Sequence, residues 1–315
     1  MIDILLASYN GEKYIAEQIE SIMGQTYKDF TLIINDDAST DGTCDIIEKY
    51  IAEYPERIKL YRSETPSGSA KNNFFSMSRY VTSDYIMFAD QDDVWLPNKV
   101  ELSMEAMEKL QSKHPNRPLL VHTDLKVVTE DLKCIHESFK RYVKISYGES
   151  DFTKARLFME NHVTGCTTLM NRKLFELCFR SGLDTTHVRM HDWWIGITAA
   201  FFGEIGYVTT PTILYRQHSD NSVGAKKATA IWLVAKSLCR LGSIKEEIRK
   251  TYRQGELFAR TYEDMCATLN EHDAATVAAF ADMVSANKIR RLYLTLRYGF
   301  LQSYFVRKAG QILLV

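Results

Sequence analysis

Residues 90–93 read Asp90-Gln91-Asp92-Asp93, between the apolar run Tyr85–Ala89 and Trp95-Leu96-Pro97. Three carboxylates this close repel one another. At a strand's carboxyl end they are tolerable chiefly where positive charge, usually a divalent metal, sits among them. In an α/β sheet that end is also where ligands bind. The competing account is a loop in which Asp93 caps the helix that Pro97 opens, but a cap needs only one carboxylate. The chemistry that fits the whole cluster is a hard cation shared with substrate phosphates.

Other stretches carry compatible groups. In Asn35-Asp36-Asp37-Ala38-Ser39-Thr40-Asp41-Gly42 the later residues read as an Asx-turn leading to an Asp41 N-cap. The two acids at the strand end are left over, and Asp37 could accept hydrogen bonds from a pyrimidine N3–H or a ribose hydroxyl. Ser8-Tyr9-Asn10-Gly11 closes an earlier strand, where the Tyr9 ring could flank a base. Lys71 stands at a helix start, either near base or diphosphate or simply in solvent. His191-Asp192-Trp193 opens a helix whose dipole keeps a first-turn carboxylate ionised. Asp192 therefore suits a general base for a sugar hydroxyl, or else a plain cap. Tyr215-Arg216-Gln217-His218 adds Arg216 for phosphate charge and His218 as a metal ligand or a structural histidine.

The elements that must position these groups alternate. Strands are expected at Ile2–Ala7, Phe30–Ile34, Ile58–Tyr61, Tyr85–Ala89 and Leu119–His122. Helical spacing of Ile15, Ile19 and Ile22, of Ile46, Ile47, Tyr50 and Ile51, and of Val100, Met104 and Met107 puts helices between them. This predicts an α/β fold with a doubly wound, mostly parallel sheet. Residues 126–223 are less regular, with short strands and loops around Thr164–Thr168 and a helix over 192–202. From Gly224 the chain reads as helical, basic and amphipathic, which puts a boundary near 220–228 and predicts domains over 1–223 and 224–315.

The 315 residues are 45% hydrophobic and 25% charged, ordinary for a globular protein, with a net charge of −1. The charge is uneven: residues 1–223 hold 24 Lys+Arg against 32 Asp+Glu, and residues 224–315 hold 15 against 8. The last 28 residues contain six Lys/Arg and no acid, among many Leu and aromatic residues. Such a tail suits an anionic membrane surface, or helices that pack on the body or on a second copy in a homodimer. Six scattered cysteines show no zinc spacing, and no stretch of 18 apolar residues exists. With a strand beginning at Ile2, no signal peptide is expected, and the protein is expected in the cytoplasm with reduced thiols.

In this order the motifs resemble the family 2 glycosyltransferases, which have a GT-A fold. The resemblance covers about residues 1–223. Asp90-Gln91-Asp92-Asp93-Val94-Trp95-Leu96-Pro97, His191-Asp192-Trp193 and Tyr215-Arg216-Gln217-His218 are similar, more narrowly, to bacterial α-L-rhamnosyltransferases of cell-wall and capsular polysaccharide synthesis. The resemblance implies that Asp37 contacts the pyrimidine and Asp90 the ribose or metal. Ser8, Tyr9, Gln91, Lys71 and Arg216 join them around the donor. Asp92 holds Mg²⁺ or Mn²⁺ on the diphosphate with His218 as a further ligand, and Asp192 is the base of a single inverting displacement. Gly165, Cys166 and Trp193 are expected on the acceptor side. The family's usual Glu-Asp is His191-Asp192 here, so the base is retained. The Gln-x-x-Arg-Trp run of processive synthases is absent, which implies one sugar per encounter.

The implied donor is dTDP-β-L-rhamnose, with a UDP-hexose as the alternative, and the acceptor a saccharide or lipid-linked saccharide. The implied setting is the cytoplasm, with peripheral placement at the inner face of the membrane and no nucleic-acid partner. A sugar-1-phosphate nucleotidyltransferase would want a Gly-rich basic loop after the first strand, whereas Ser8–Glu12 has one Gly and no Arg. A non-catalytic nucleotide-sugar-binding protein would have no need of Asp192.

Overall fold

The alternation in the first third of the chain becomes one side of a mixed sheet. The computed structural model describes residues 1–145, 153–218, 241–303, 308 and 311–312. Its strands are β1 (Ile2–Ser8), β2 (Phe30–Asp36), β3 (Ile58–Arg62), β4 (Tyr85–Asp90), β5 (Val94–Trp95), β6 (Leu119–Thr129), β7 (Cys134–His136), β8 (Thr168–Asn171) and β9 (Glu204–Gln217). They run in the order β3-β2-β1-β4-β8-β6-β9-β5, with β7 on β6. The first four in that order are parallel neighbours. Beyond them β8 is antiparallel to β4 and β6, β9 runs parallel to β6, and β5 lies antiparallel to β9. Ile2, Ile4, Leu5 and Leu6 of β1 are all fully buried, as a strand covered on both faces requires.

The expected helices form with their apolar stripes inward. Helix Ile15–Met23 buries Ile15, Ile19 and Ile22, and helix Lys99–Lys113 buries Val100, Met104 and Met107. Helix Thr43–Glu53 buries Ile47, while Ile46, Tyr50 and Ile51 are half-buried. Two expectations need correction. Where only short strands were expected after 126, the chain also forms a long one, β9, which pairs with a β6 that runs seven residues past His122 to Thr129. The β6–β9 register shifts near Asp124 and Pro211, and that irregularity hides the strand's alternation. Asp93 is not a helix cap either: the cap position is Asn98 and the helix begins at Lys99.

The chain divides into two compact units. The first comprises Met1–Phe139, Val163–Arg180 and Gly203–Ala225, and holds the sheet. The second comprises Lys140–His162, Ser181–Phe202 and Lys226–Val315, so it draws on both sides of the boundary expected from the sequence. That boundary lies outside the described residues. Every residue of helix His191–Phe202 in the second unit is buried. Trp194, for instance, packs on Phe258 and Tyr262. Phe158 stacks on Phe280 at 4.5 Å in the same core, and a Cβ on Gly255 would meet the Phe280 ring at 2.1 Å. A helix apolar all round needs cover on every side, and the helices after residue 240 provide much of it. Among the described residues no helix is long and apolar enough to cross a membrane. Cys44, Cys134, Cys166, Cys178 and Cys266 form no disulfides, and Cys239 is not among the described residues.

Candidate active site

Parallel pairing sets β2, β1 and β4 side by side, so that Ser8 is level with Asp36 and Ala7 with Asp90. Asp37, Tyr9 and Gln91 therefore leave the sheet together at its carboxyl edge. The Gln91 amide clamps the backbone of Tyr9 in both directions: the Tyr9 N–H donates to Gln91 Oε1 at 2.8 Å, and Gln91 Nε2 donates to the Tyr9 carbonyl at 2.9 Å. Gly11 makes room for it, since a Cβ there would lie 2.3 Å from Gln91 Oε1. Gln18 Nε2 donates to the Asp90 carbonyl at 2.8 Å. Both ends of the Asp90-Gln91 step are thus tied to neighbouring elements.

The two acids at the end of β2 divide their work. Asp36 accepts from the Ser39 N–H three residues on. Asp37 is buried, its N–H donates to the Ser8 carbonyl at 2.9 Å, and its two oxygens accept from Ser67 N–H and Ser67 Oγ, each at 2.8 Å. Asp41 is not the N-cap expected from the sequence: Gly42 holds that position, and Asp41, one residue earlier, accepts from the Thr43 N–H at 3.1 Å in an Asx-turn. Ser8 is buried with its hydroxyl toward the Asn35 carbonyl, whereas Tyr9 is 49% exposed. Lys71 stands in the first turn of helix Ala70–Met77, which Ser69 caps by accepting from the Asn72 N–H.

β9 carries Arg216 to β4's acidic end. Arg216 Nε donates to the Asp92 carbonyl at 2.8 Å, and its backbone N–H donates to Asp93 Oδ1 at 3.2 Å. The guanidinium also reaches Glu17 and the Glu130 carbonyl, and lies 5.0 Å over the Tyr14 ring. Arg216 is 4% exposed, so it works from inside the protein. Two residues on, His218 Nε2 faces Asp92 Oδ2 at 2.8 Å, with the imidazole stacked on Tyr14 at 4.8 Å. Two ligands of one cation with bonds of about 2.1 Å lie about 3 Å apart. A carboxylate and an imidazole so placed therefore fit a bound Mg²⁺ or Mn²⁺.

Behind this pair is a second, deeper group. Ligand atoms of Asp90, Asp93 and Cys166 lie within 4.8 Å of one another. Asp93 is fully buried, and its Oδ2 has no hydrogen-bond partner. Burial pushes its carboxyl well above the usual range, and the charges of Asp92 and Asp90 push the same way. Burial also raises the Cys166 thiol, with Asp93 and Asp90 adding to it, so Cys166 stays protonated. A neutral thiol is a poor ligand for a hard cation, which favours the Asp92–His218 pair. Lys99 is fully buried as well, 4.4 Å over the Trp95 ring, its ammonium pushed down to about 8 by burial, with Asp93 opposing the shift. The protein itself thus sets Lys99 near Asp93, His218 against the Asp92 carboxylate and the Arg216 guanidinium on the Asp92 carbonyl.

Asp192 lies in the second unit, 8% exposed, in the first turn of helix His191–Phe202. Its Oδ1 accepts from Trp193 N–H at 2.6 Å and from Asn161 Nδ2 at 2.9 Å, a pair of donors that holds the carboxylate in one orientation. Trp193 is 9% exposed and its indole N–H donates to the Leu157 carbonyl. Gly165 and Cys166 are buried in the short turn Gly165–Thr167 of the first unit. Sequence reasoning passed over Tyr14, Glu17, Gln18, Lys99 and Glu130. Gln18 could have been found, as a polar residue on the stripe of Ile15, Ile19 and Ile22.

The mixed sheet, with its acids at the ends of parallel strands and helices after it, defines a GT-A glycosyltransferase fold. Residues 1–349 of S. aureus TarS in complex with UDP-GlcNAc superpose with a TM-score of 0.54 at 15% identity, over 98% of this chain and 91% of that one. The mannosyltransferase PcManGT from Pyrobaculum calidifontis, in complex with GDP-Man and Mn²⁺, gives 0.53 at 14% identity, over 99% and 86%. The model of Glycosyl transferase family 2 matches residues 3–116. The chain is 30% identical over 230 residues to the dTDP-rhamnosyl transferase RfbG of Shigella flexneri, covering 70% of this chain and 74% of that one. It is 34% identical over 110 residues to the UDP-Glc:alpha-D-GlcNAc-diphosphoundecaprenol beta-1,3-glucosyltransferase WfgD of Escherichia coli, 35% of this chain and 42% of that one. The chain belongs to glycosyl transferase family 2.

Proposed function

We propose that this glycosyltransferase moves L-rhamnose from dTDP-β-L-rhamnose to a saccharide or lipid-linked saccharide acceptor, with inversion, in cell-surface polysaccharide synthesis. The observation that carries the donor site is the meeting of Asp92 and His218 at 2.8 Å beside Arg216. The rhamnosyl assignment rests on the motifs around Asp90–Pro97 and His191–Trp193 and on the likeness to RfbG.

In this reading Asp37 accepts from the pyrimidine while Ser67 holds its carboxylate in place, and Tyr9 flanks the base from its exposed position next to Ser8. Asp90 takes the ribose or the metal, with Gln91 fixing the turn. Lys71 and the buried Arg216 add positive charge toward the diphosphate. Asp92 and His218 would hold Mg²⁺ or Mn²⁺, which when bound neutralises the departing diphosphate. Asp192, oriented by Asn161, takes the proton from the acceptor hydroxyl. Gly165, Cys166 and Trp193 shape the acceptor side from buried positions. Residues 1–223 carry the catalysis and 224–315 the helical extension, with the enzyme working in the cytoplasm at the inner face of the membrane.

Thermal unfolding with Mn²⁺ and a series of nucleotide sugars tests the donor, because a ligand that binds only the folded chain raises its Tm by mass action. dTDP-L-rhamnose should give the largest shift. Binding of UDP-glucose or UDP-galactose about tenfold tighter than dTDP-rhamnose would replace the donor and leave the fold and the metal pair standing.

A further inference from the structure

On the helix Lys288–Tyr298, Ile289, Tyr293 and Leu296 are 82%, 61% and 59% exposed. Spaced at i, i+4 and i+7, they stand above one another on a single face. The opposite side turns inward: Leu294 and Thr295 are buried, and Arg291 Nε donates to the Met283 carbonyl at 2.9 Å. Both ends are capped, by the Asn287 side chain accepting from the Arg290 N–H and by Gly299 at φ 74°. The exposed face therefore belongs to a well-terminated helix. Large apolar side chains grouped on a surface mark a contact with a partner or a membrane.

Charge identifies the partner. Lys288 stands on one flank of the apolar face, Arg290 and Arg297 on the other, and all three are exposed. Arg290 also pairs with Asp282. Residues 288–315 contain no acid at all. Two copies meeting through this face about a two-fold axis would bring their cations together with no carboxylate on the helix to offset them.

We propose that this helix docks on the surface of a bilayer containing anionic phospholipid. Ile289, Tyr293 and Leu296 enter the boundary between headgroups and acyl chains, where Tyr is favoured, and Lys288, Arg290 and Arg297 reach the lipid phosphates. Each such cation is worth about 1 kcal/mol, about fivefold in affinity. The inference deepens the peripheral placement in the proposed function. It stands on this helix alone, apart from donor, metal and base.

The test is co-sedimentation of the full chain with phosphatidylcholine vesicles, with and without phosphatidylglycerol, at low and high salt. The wild type should bind only the anionic vesicles and leave them at high salt. Ile289→Ser/Leu296→Ser and, separately, Lys288→Glu/Arg297→Glu should each weaken that binding at least about tenfold, with unchanged Tm. Equal binding by wild type and both variants, or no binding by the wild type, would overturn the proposal. So would a dimer, seen by sedimentation equilibrium, that the serine variant dissolves. Vesicle binding needs neither nucleotide sugar nor metal, so its failure would leave the donor reading intact, and failure of the donor reading would leave it intact.

Discussion

Asp92 Oδ2 and His218 Nε2 meet at 2.8 Å although 126 residues separate them. β5 and β9 make the meeting possible, since their antiparallel pairing sets Val94 against Leu214 and leads the two chains to the same edge of the sheet. Asp92 and His218 each contribute one donor atom.

The pair should make transfer depend on a divalent cation. Asp92→Asn removes the charged ligand and should cost several kcal/mol of transition-state stabilisation. His218→Ala should raise the Mn²⁺ concentration needed for half-maximal rate by at least about tenfold. A metal titration of the transfer rate, with circular dichroism confirming the fold, checks both. Full activity in excess EDTA would remove the metal from the mechanism.

Gln91 holds the turn between the two acids by gripping the Tyr9 backbone. Gln91→Glu keeps the size but sets a carboxylate oxygen against the Tyr9 carbonyl, replacing a donor by an acceptor. A loss on the order of 1–3 kcal/mol in donor binding is expected. Calorimetry with the nucleotide sugar measures it, and donor affinity equal to wild type would show that the clamp does not position the site.

Asp192→Asn should leave donor binding nearly unchanged and lower kcat by roughly 10²–10⁴-fold, the usual share of a general base. Asn161→Ala removes the 2.9 Å bond that orients the carboxylate, and its smaller loss should fall in kcat too. Weakened donor binding with normal turnover in Asp192→Asn would make Asp192 a binding residue.

Acid should destabilise the protein through His191. Burial pushes its imidazole from the ordinary 6.5 down to about 3, so it is neutral in the folded chain. Unfolding exposes it to protonation between those values, and the unfolded state then binds the extra proton. The stability tied to His191 is therefore fully present above about pH 6.5 and lost as the pH falls toward 3, by on the order of 2 kcal/mol at pH 5. Urea unfolding at about pH 7 and pH 5 should show a smaller drop in His191→Phe than in the wild type, and equal drops would clear His191 of the effect.

The local signals that the chain writes for itself were legible without coordinates. Short-range periodicity and turn chemistry act within a few residues, so β1 to β4, the helices between them and the helix that begins with His191-Asp192 could be read from the sequence with only small shifts at their ends, whereas β5 and the last seven residues of β6 could not. The acids of Asp90–Asp93 also announced a need for positive charge. What answers that need was decided by tertiary structure. Lys99 looks like a solvated residue at a helix start, yet the fold buries it beside Asp93, because the same turn must bury Val100 and Trp95. Arg216 reads as a phosphate ligand, yet β9 delivers it under the backbone of Asp92, where Glu17 and Tyr14 also hold it. Contacts across such sequence distances depend on strand order and register, and a β9 interrupted at Pro211 carries too little alternation to reveal either.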